Sequence, residues 1–329
     1  MYSVRRWGWS IGAVLVLSIG LSACSSNEGA SVNDGTTQQT TVKEKEPAAE
    51  KPETKEYVDY LGRKVEIPTD PQRIVYYDNK TFGDMLVLGA DAVGQDSRFE
   101  SIYQDQVKDI EDLGAPLNLE KLVELEPDLI ITGLHAQGEE LDQIAKVAPT
   151  VGIDVDAPLE QRLPILGLLV NREAEAQQWL ADYDAKSEQA WNAFKQSANI
   201  GPDETATIFL NTNRTLYVMT TGLAADLYSP YGLDIPDEVK KVTIDEEMPW
   251  AQISLESLPS FAGDHVFLMA AGAGEDSAEN DELMKSAIWK DLPAVKNGHV
   301  YVVEQKWNKR DAYTMHEFLN ELPAMMKQQ

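Results

Sequence analysis

The stretch Asn118-Leu119-Glu120-Lys121-Leu122-Val123-Glu124-Leu125-Glu126-Pro127-Asp128-Leu129-Ile130-Ile131-Thr132 holds a short helix, a stop and a buried strand. Asn118 is a good N-cap, because its side-chain oxygen can accept an orphan amide of the first turn. Glu120 then falls in that turn, where a carboxylate complements the helix dipole. Pro127 has no N–H to continue the helix. The run Leu129-Ile130-Ile131 shows no polar alternation, as expected of a strand covered on both faces of a parallel sheet. The same order returns later. Ser254-Leu255-Glu256-Ser257-Leu258 leads, eight residues after its Glu, to Asp264-His265-Val266-Phe267-Leu268, as Glu120 leads to Asp128. With Ser254 as N-cap, residues 255–258 read as a helix with Glu256 in its first turn. A first-turn Glu is common for dipole reasons alone. Its recurrence at one place in two halves points to two equivalent carboxylates, able to meet two equivalent cationic sites on a symmetric partner.

Outward from this echo the chain alternates strands and helices. Residues 57–67 read as a hairpin turning at Leu61-Gly62-Arg63. Residues 73–77, 92–94 and 128–132 read as strands, with helices at 81–88, 118–125 and 141–148. From 172 to 198 no Gly or Pro interrupts. Ala176, Trp179, Leu180, Tyr183, Ala190, Trp191 and Phe194 there keep the spacing of one helix face. Such a helix is about 40 Å long. Alternation resumes after Gly201-Pro202, with strands at 205–210, 216–219, 265–269 and 299–303, and a last helix at 314–326. The expected fold class is α/β: two α/β lobes (57–170 and 200–329) with central, mainly parallel sheets, joined by one long α-helix (171–199).

The N-terminus carries a different message. Arg5 and Arg6 precede an apolar run over residues 7–21, then Leu21-Ser22-Ala23-Cys24. The run is too short and too early for a membrane span and reads as a secretory signal. Cys24 is the only cysteine. Residues 25–56 are rich in Ser, Thr, Gln, Lys, Glu, Pro and Ala, and are expected to be disordered. A flexible chain of that length reaches about 30 Å end to end. The formal charge is −27 for 329 residues, and −29 once Arg5 and Arg6 leave with the signal. That surface repels nucleic-acid phosphates and anionic lipids, so neither is expected as a partner.

Small residues before a lone cysteine resemble the bacterial lipoprotein signal, which implies cleavage before Cys24 and lipid on its thiol. The folded part, residues 57–326, resembles the substrate-binding lipoproteins of ABC importers for iron-siderophores, haem and cobalamin. The resemblance is carried by Pro71-Gln72-Arg73-Ile74-Val75, by Leu88-Gly89-Ala90-Asp91-Ala92-Val93-Gly94, by the segment from Asn118 to Ile131, and by Trp289-Lys290-Asp291-Leu292-Pro293-Ala294-Val295-Lys296-Asn297-Gly298. It implies a ligand cleft between the lobes and a monomer held by its anchor on the outer face of the cytoplasmic membrane. It also implies that Glu120 and Glu256 pair with arginines of a permease dimer. Ser25 is not the Asp that favours inner-membrane retention in two-membrane cells, so a single-membrane bacterium fits better. The first lobe resembles ferric-hydroxamate binders most. In many of those relatives Arg-Gly-Gly stands where this chain has Gly222-Leu223-Ala224, so the resemblance implies that a ligand-contacting arginine is either missing here or replaced by Arg214.

The loops after the strands offer Tyr77, Lys80, Arg98, His135, Arg214, Tyr217, Trp250, Trp307, Arg310 and Tyr313 as ligand-binding candidates. Aromatic faces and guanidiniums suit a large, partly apolar, oxygen-rich chelate. No protein metal site or cofactor is expected: His135, His265, His299 and His316 are scattered, so iron would arrive already wrapped in its siderophore. Haem, cobalamin and ferric citrate remain open as ligands, and a surface adhesin or a siderophore-processing enzyme as other classes. The chain has no G-x-S-x-G elbow and no phosphate-binding loop. Gly272-Ala273-Gly274 runs into Glu275 and Asp276, which would repel a phosphate.

Overall fold

The structure, a computed structural model, describes residues 53–96, 101–133, 138–270 and 275–325. Cys24, the signal and the expected tether up to residue 52 lie outside the described residues, as do Arg98, His135 and Gly272-Ala273-Gly274.

The hairpin of β1 (Thr54–Val58) and β2 (Lys64–Pro68) starts three residues before the expected Tyr57, because Thr54 already pairs with Pro68. Gly62 supplies the positive φ of 75° its turn requires. Buried Asp59 accepts from the amides of Leu61 and Arg63 at 3.1 and 2.8 Å and from Gly152 N at 3.1 Å, which docks the hairpin on the first lobe.

That lobe holds a wholly parallel sheet of β3 (Ile74–Tyr77), β4 (Ala92–Gln95), β5 (Glu111–Asp112), β6 (Leu129–Thr132) and β7 (Thr150–Gly152), in the order β5-β4-β3-β6-β7. Among its helices are α1 (Gly83–Val87), α2 (Leu119–Glu124) and α3 (Leu159–Val170). Every residue of β3 and β6 is buried, which accounts for their unbroken apolar character. The long helix, α4 (Glu173–Ala198), runs 26 residues and ends on Asn199 in the left-handed region. Its buried face includes Ala176, Tyr183, Ala190, Trp191 and Phe194, as the spacing predicts. Trp179 is half-buried and stacks on Tyr183 with ring centroids 5.0 Å apart.

The second lobe departs from the mainly parallel expectation. Its sheet comprises β8 (Ala206–Thr212), β9 (Thr215–Met219), β10 (Trp250–Ile253), β11 (His265–Ala270) and β12 (Val300–Glu304), in the order β10-β9-β8-β11-β12. The β8, β11 and β12 strands pair in parallel, whereas β9 runs antiparallel to both of its neighbours, β8 and β10, so β10 points the same way as the other three. The cause is local. Asn213 and Arg214 both take positive φ, 50° and 56°, and make the tight two-residue turn that folds β9 straight back on β8. Helices α5 (Leu223–Leu227), α6 (Leu258–Phe261) and α7 (Ala312–Met325) complete the elements that matter for the site.

One apolar cluster runs through both lobes. Ile74 and Tyr76 of the first sheet, Trp191 and Phe194 of α4, Phe267 and Tyr301 of the second sheet and Phe318 of α7 belong to it. Separate clusters fill the outer faces: Val75, Leu122 and Ile130 on the first sheet, Phe209, Val218 and Val266 on the second. The lobes are thus joined by shared core as well as by covalent chain.

Candidate functional site

A cleft of about 630 Å³ takes Lys80 and Asp156 from the first lobe and Thr221, Gly222, Pro249 and Trp250 from the second. Asn308, Lys309 and Arg310, on the segment between β12 and α7, complete its lining. Each wall is set by local chemistry. Asp78 follows β3 and is fully buried. Its Oδ1 accepts from the amides of Lys80 and Thr81, both at 2.9 Å, and from the Thr81 hydroxyl at 2.8 Å. That Asx-type turn puts the Lys80 side chain at the cleft. Trp250 opens β10 and is half exposed at 51%. Tyr217 of β9 supports it in an edge-to-face contact, centroids 5.7 Å apart.

The segment 308–312 is fixed at both ends. On the second lobe, the Asn308 side-chain oxygen accepts from Leu223 N at 3.2 Å. A Cβ on Gly222 would fall 1.9 Å from that oxygen, and Gly222 itself has φ +64°. So position 222 is closed to any side chain here, and Asn308 fills the space. On the first lobe, Arg162 of α3 donates to Arg310 O at 2.6 Å, and Asp84 of α1 accepts from Ala312 N at 2.7 Å. Arg162 and Asp84 form a buried ion pair at 2.6 Å. Burial works against the guanidinium charge, but Asp84 more than offsets it and carries the Arg162 pKa above its usual value. Arg310 itself pairs with Asp156. Burial lowers the pKa of both Lys309 and Arg310; Asp311 opposes this for Lys309, and Asp156 for Arg310.

Of the expected ligand residues, the structure brings Lys80, Trp250 and Arg310 into one lining, with Tyr217 behind Trp250. Others go elsewhere. Tyr77 is 3% exposed, in the outer cluster with Val75, and donates to Gly114 O at 2.9 Å. The two-residue period of β3 dictates this: Ile74 and Tyr76 face the central core, so Val75 and Tyr77 face the other side. Arg214 is not in this cleft. It sits in the β8–β9 turn, where its amide donates to Glu279 at 2.8 Å, and it lines a separate depression with Glu279 and Glu282. Asn308, and not Arg214, stands against Gly222. Trp307 packs on Phe318, centroids 6.2 Å apart, and Tyr313 packs on Tyr103 at 5.6 Å while its hydroxyl accepts from Gln106. Neither is among the cleft's lining residues.

Sequence reasoning missed Asp156, Asn308, Lys309 and the pair Asp84–Arg162. One signal for the pair was present. Arg162 stands on the α3 face of Leu159, Leu163, Leu166 and Leu169, where a charge needs a buried partner.

The two echo carboxylates are both exposed. Asn118 caps α2 as predicted, accepting from Glu120 N and Lys121 N at 3.0 and 3.1 Å. Glu256 differs from expectation: residues 255–257 form a turn, and α6 starts only at Leu258. Pro259 lacks the N–H that would bond Leu255 O, so it is tolerated only in the first turn of a helix, and the helix starts just before it. Ser254 and Ser257 close the turn instead, each accepting the other's amide, at 3.2 and 3.1 Å. A helix that precedes a parallel strand starts at that strand's carboxyl edge. Both glutamates therefore sit at the corresponding edge of their own sheet. His265 lies in β11, bonded through Nε2 to Glu204 at 2.6 Å, and its ring stacks on His299. Among the described residues no three His, Cys, Asp or Glu side chains converge as a metal site.

Residues 74–306 match the periplasmic binding protein family. The iron(3+)-hydroxamate-binding protein FhuD of Bacillus subtilis (strain 168) is 32% identical over 247 residues, 73% of this chain and 76% of that protein. The iron(3+)-hydroxamate-binding protein YxeB of the same organism is 30% identical over 302 residues, 89% and 87% of the two chains. The structure of FhuD2 from Staphylococcus aureus with bound ferrioxamine B superposes with a TM-score of 0.66 at 25% identity, over 78% of this chain and all of that one.

Proposed function

This chain belongs to the periplasmic binding protein family, and from that premise we propose that it captures a ferric hydroxamate siderophore outside the cell and hands it to an ABC permease. The observation that carries the reading is the cleft. A half-exposed Trp250 stands beside Lys80 and Arg310, at a junction where both lobes contribute walls. An indole face suits the apolar linkers of a hydroxamate chelate, and the cations suit its oxygen-rich surface. Iron enters as cargo, already coordinated by its chelator, and no bond is made or broken by the protein. Cys24 carries the lipid, and the stretch that follows tethers the receptor on the outer face of the membrane of a single-membrane bacterium. This keeps a monomeric receptor at high local concentration near its permease. Glu120 and Glu256 meet arginines of the permease dimer. Exposed ion pairs are worth about 0–1 kcal/mol each, so they set encounter and register more than affinity. Ferric citrate is the second reading, favoured by the presence of Lys80, Lys309 and Arg310 on one lining.

Titrating tryptophan fluorescence with ferrioxamine B, ferrichrome, ferric citrate, haem and cobalamin tests this. Quenching by the iron-loaded hydroxamates at the lowest concentrations supports the reading. Quenching by ferric citrate alone moves it to the second, and silence across the panel sinks the transport role.

A further inference from the structure

We infer that Asp84 and Arg162 are a positioning pair for the cleft, holding both of its charged walls in register through the Asp156–Arg310 bridge. This rests on the cleft being the ligand site. Neither residue lines the cleft, and both are buried, Arg162 at 2% and Asp84 at 0% exposure. Yet between them they engage the backbone on both sides of the bridge. Arg162 donates through Nη1 to Ala157 O at 2.8 Å and to Val155 O at 3.3 Å, the two neighbours of Asp156. Through Nη2 it donates to the carbonyl of Arg310. Through Nε it holds Asp84, whose other oxygen takes the amide of Ala312. One rigid fork thus fixes the residues before and after Asp156 and the carbonyl of Arg310, so the two side chains meet without searching. Asp84 orients the fork and holds the far side of the same segment. A lysine could supply the charge but not four directed bonds to three segments.

The ion pair could have been an ordinary core device, and the distinction is measurable. If Arg162 acts through the bridge, its effect depends on the bridge being there. In the full chain, Arg162→Lys weakens binding of ferrioxamine B or ferrichrome about tenfold, and Asp156→Ala about fivefold. Together they cost about as much as Arg162→Lys alone, because neighbours that act as a unit are not additive. Losses that multiply, or wild-type affinity in Arg162→Lys, overturn the inference. A second arm needs no ligand. Asp84→Leu with Arg162→Met removes both charges, so no unpaired buried ion remains to unfold the chain. Amide hydrogen exchange at residues 155–157 and 310–312 should quicken in that folded variant, while α4 stays protected. Unchanged protection at both segments also overturns the inference. If the wild-type chain binds no ferric chelate, the transport reading falls, and the exchange arm still decides the pair.

Discussion

Tyr183 of the long helix donates its hydroxyl to the carboxyl of Asp226 on α5, the short helix that leads away from the cleft wall. Both are buried. Burial pushes the Asp226 carboxyl up to about 7, against the pull of the Tyr183 bond and with help from Glu160. Asp311, at the start of α7, is also pushed up to about 7 by burial. Between the ordinary carboxyl range and pH 7 the folded chain therefore holds protons that the unfolded chain has released. Stability from these groups is complete below pH ~4 and is lost as pH rises to about 7, with an upper limit of about 4 kcal/mol per group. Thermal unfolding from pH 4 to 8 should show a falling Tm. Repulsion within the acidic surface grows as pH rises and lowers Tm as well, so the discriminating comparison is Asp226→Asn, which should flatten the curve. An identical slope in that variant would refute the assignment.

Gly222 has φ 64° and ψ −129°, a region open in practice to glycine alone, and Asn308 occupies the space where its Cβ would be. Gly222→Ala should cost about 1–3 kcal/mol in urea unfolding. It should also displace Asn308 and weaken ligand binding. An alanine variant with unchanged affinity would mean that the 308–310 wall does not touch ligand.

Trp250 gives the opposite pattern. It is half exposed and leans on Tyr217 only at its edge. Trp250→Ala should change stability by about 1 kcal/mol or less. Affinity for the iron-loaded siderophore should drop tenfold or more, on the order of 1.4 kcal/mol. Isothermal titration, which does not rely on the indole signal, is the appropriate measurement.

Glu120 and Glu256 are solvent-exposed, and each belongs to a different lobe. Replacing both with Ala should abolish iron uptake by cells while leaving ligand affinity intact and stability within about 0.5 kcal/mol. Asn118→Ala, which removes a real cap, should cost about 1 kcal/mol instead. Lost affinity in the double glutamate variant would mean these carboxylates act at the cleft.

Capture should involve little closure. One apolar cluster is continuous from the first sheet through α4 to the second, and 308–312 is pinned on both lobes. Hinge motion would tear that core, so the radius of gyration in solution scattering should change by on the order of 1 Å or less on saturation. A compaction of several ångströms would contradict this.

Much of the fold was legible because its signals are local. The cap Asn118, the stop at Pro127 and the apolar run of β6 lie within fifteen residues, and each was read correctly. The face of α4 could be read because 3.6-residue spacing needs no partner to show itself. Glu256 shows the limit. Its segment copies the first in pattern, yet Pro259 shifts the helix start by three residues and leaves the carboxylate in a turn.

The site was less legible, since proximity in a cleft is not a local property. The sequence by itself determined the alternation of strands and helices, the long uninterrupted helix and the buried run of β6, all consequences of periodicity and backbone chemistry, while β5, β7, β10 and α3 were not read from it. Only the tertiary structure decided that Lys80, Asp156, Gly222, Trp250 and Asn308 share one cavity, because crossovers bring them together from positions far apart in the chain. It also placed Tyr77 and Arg214 outside that cavity. The side of a sheet that becomes a ligand wall depends on what packs against the other side, and in this chain the central core claims one face of β3 and helices the other.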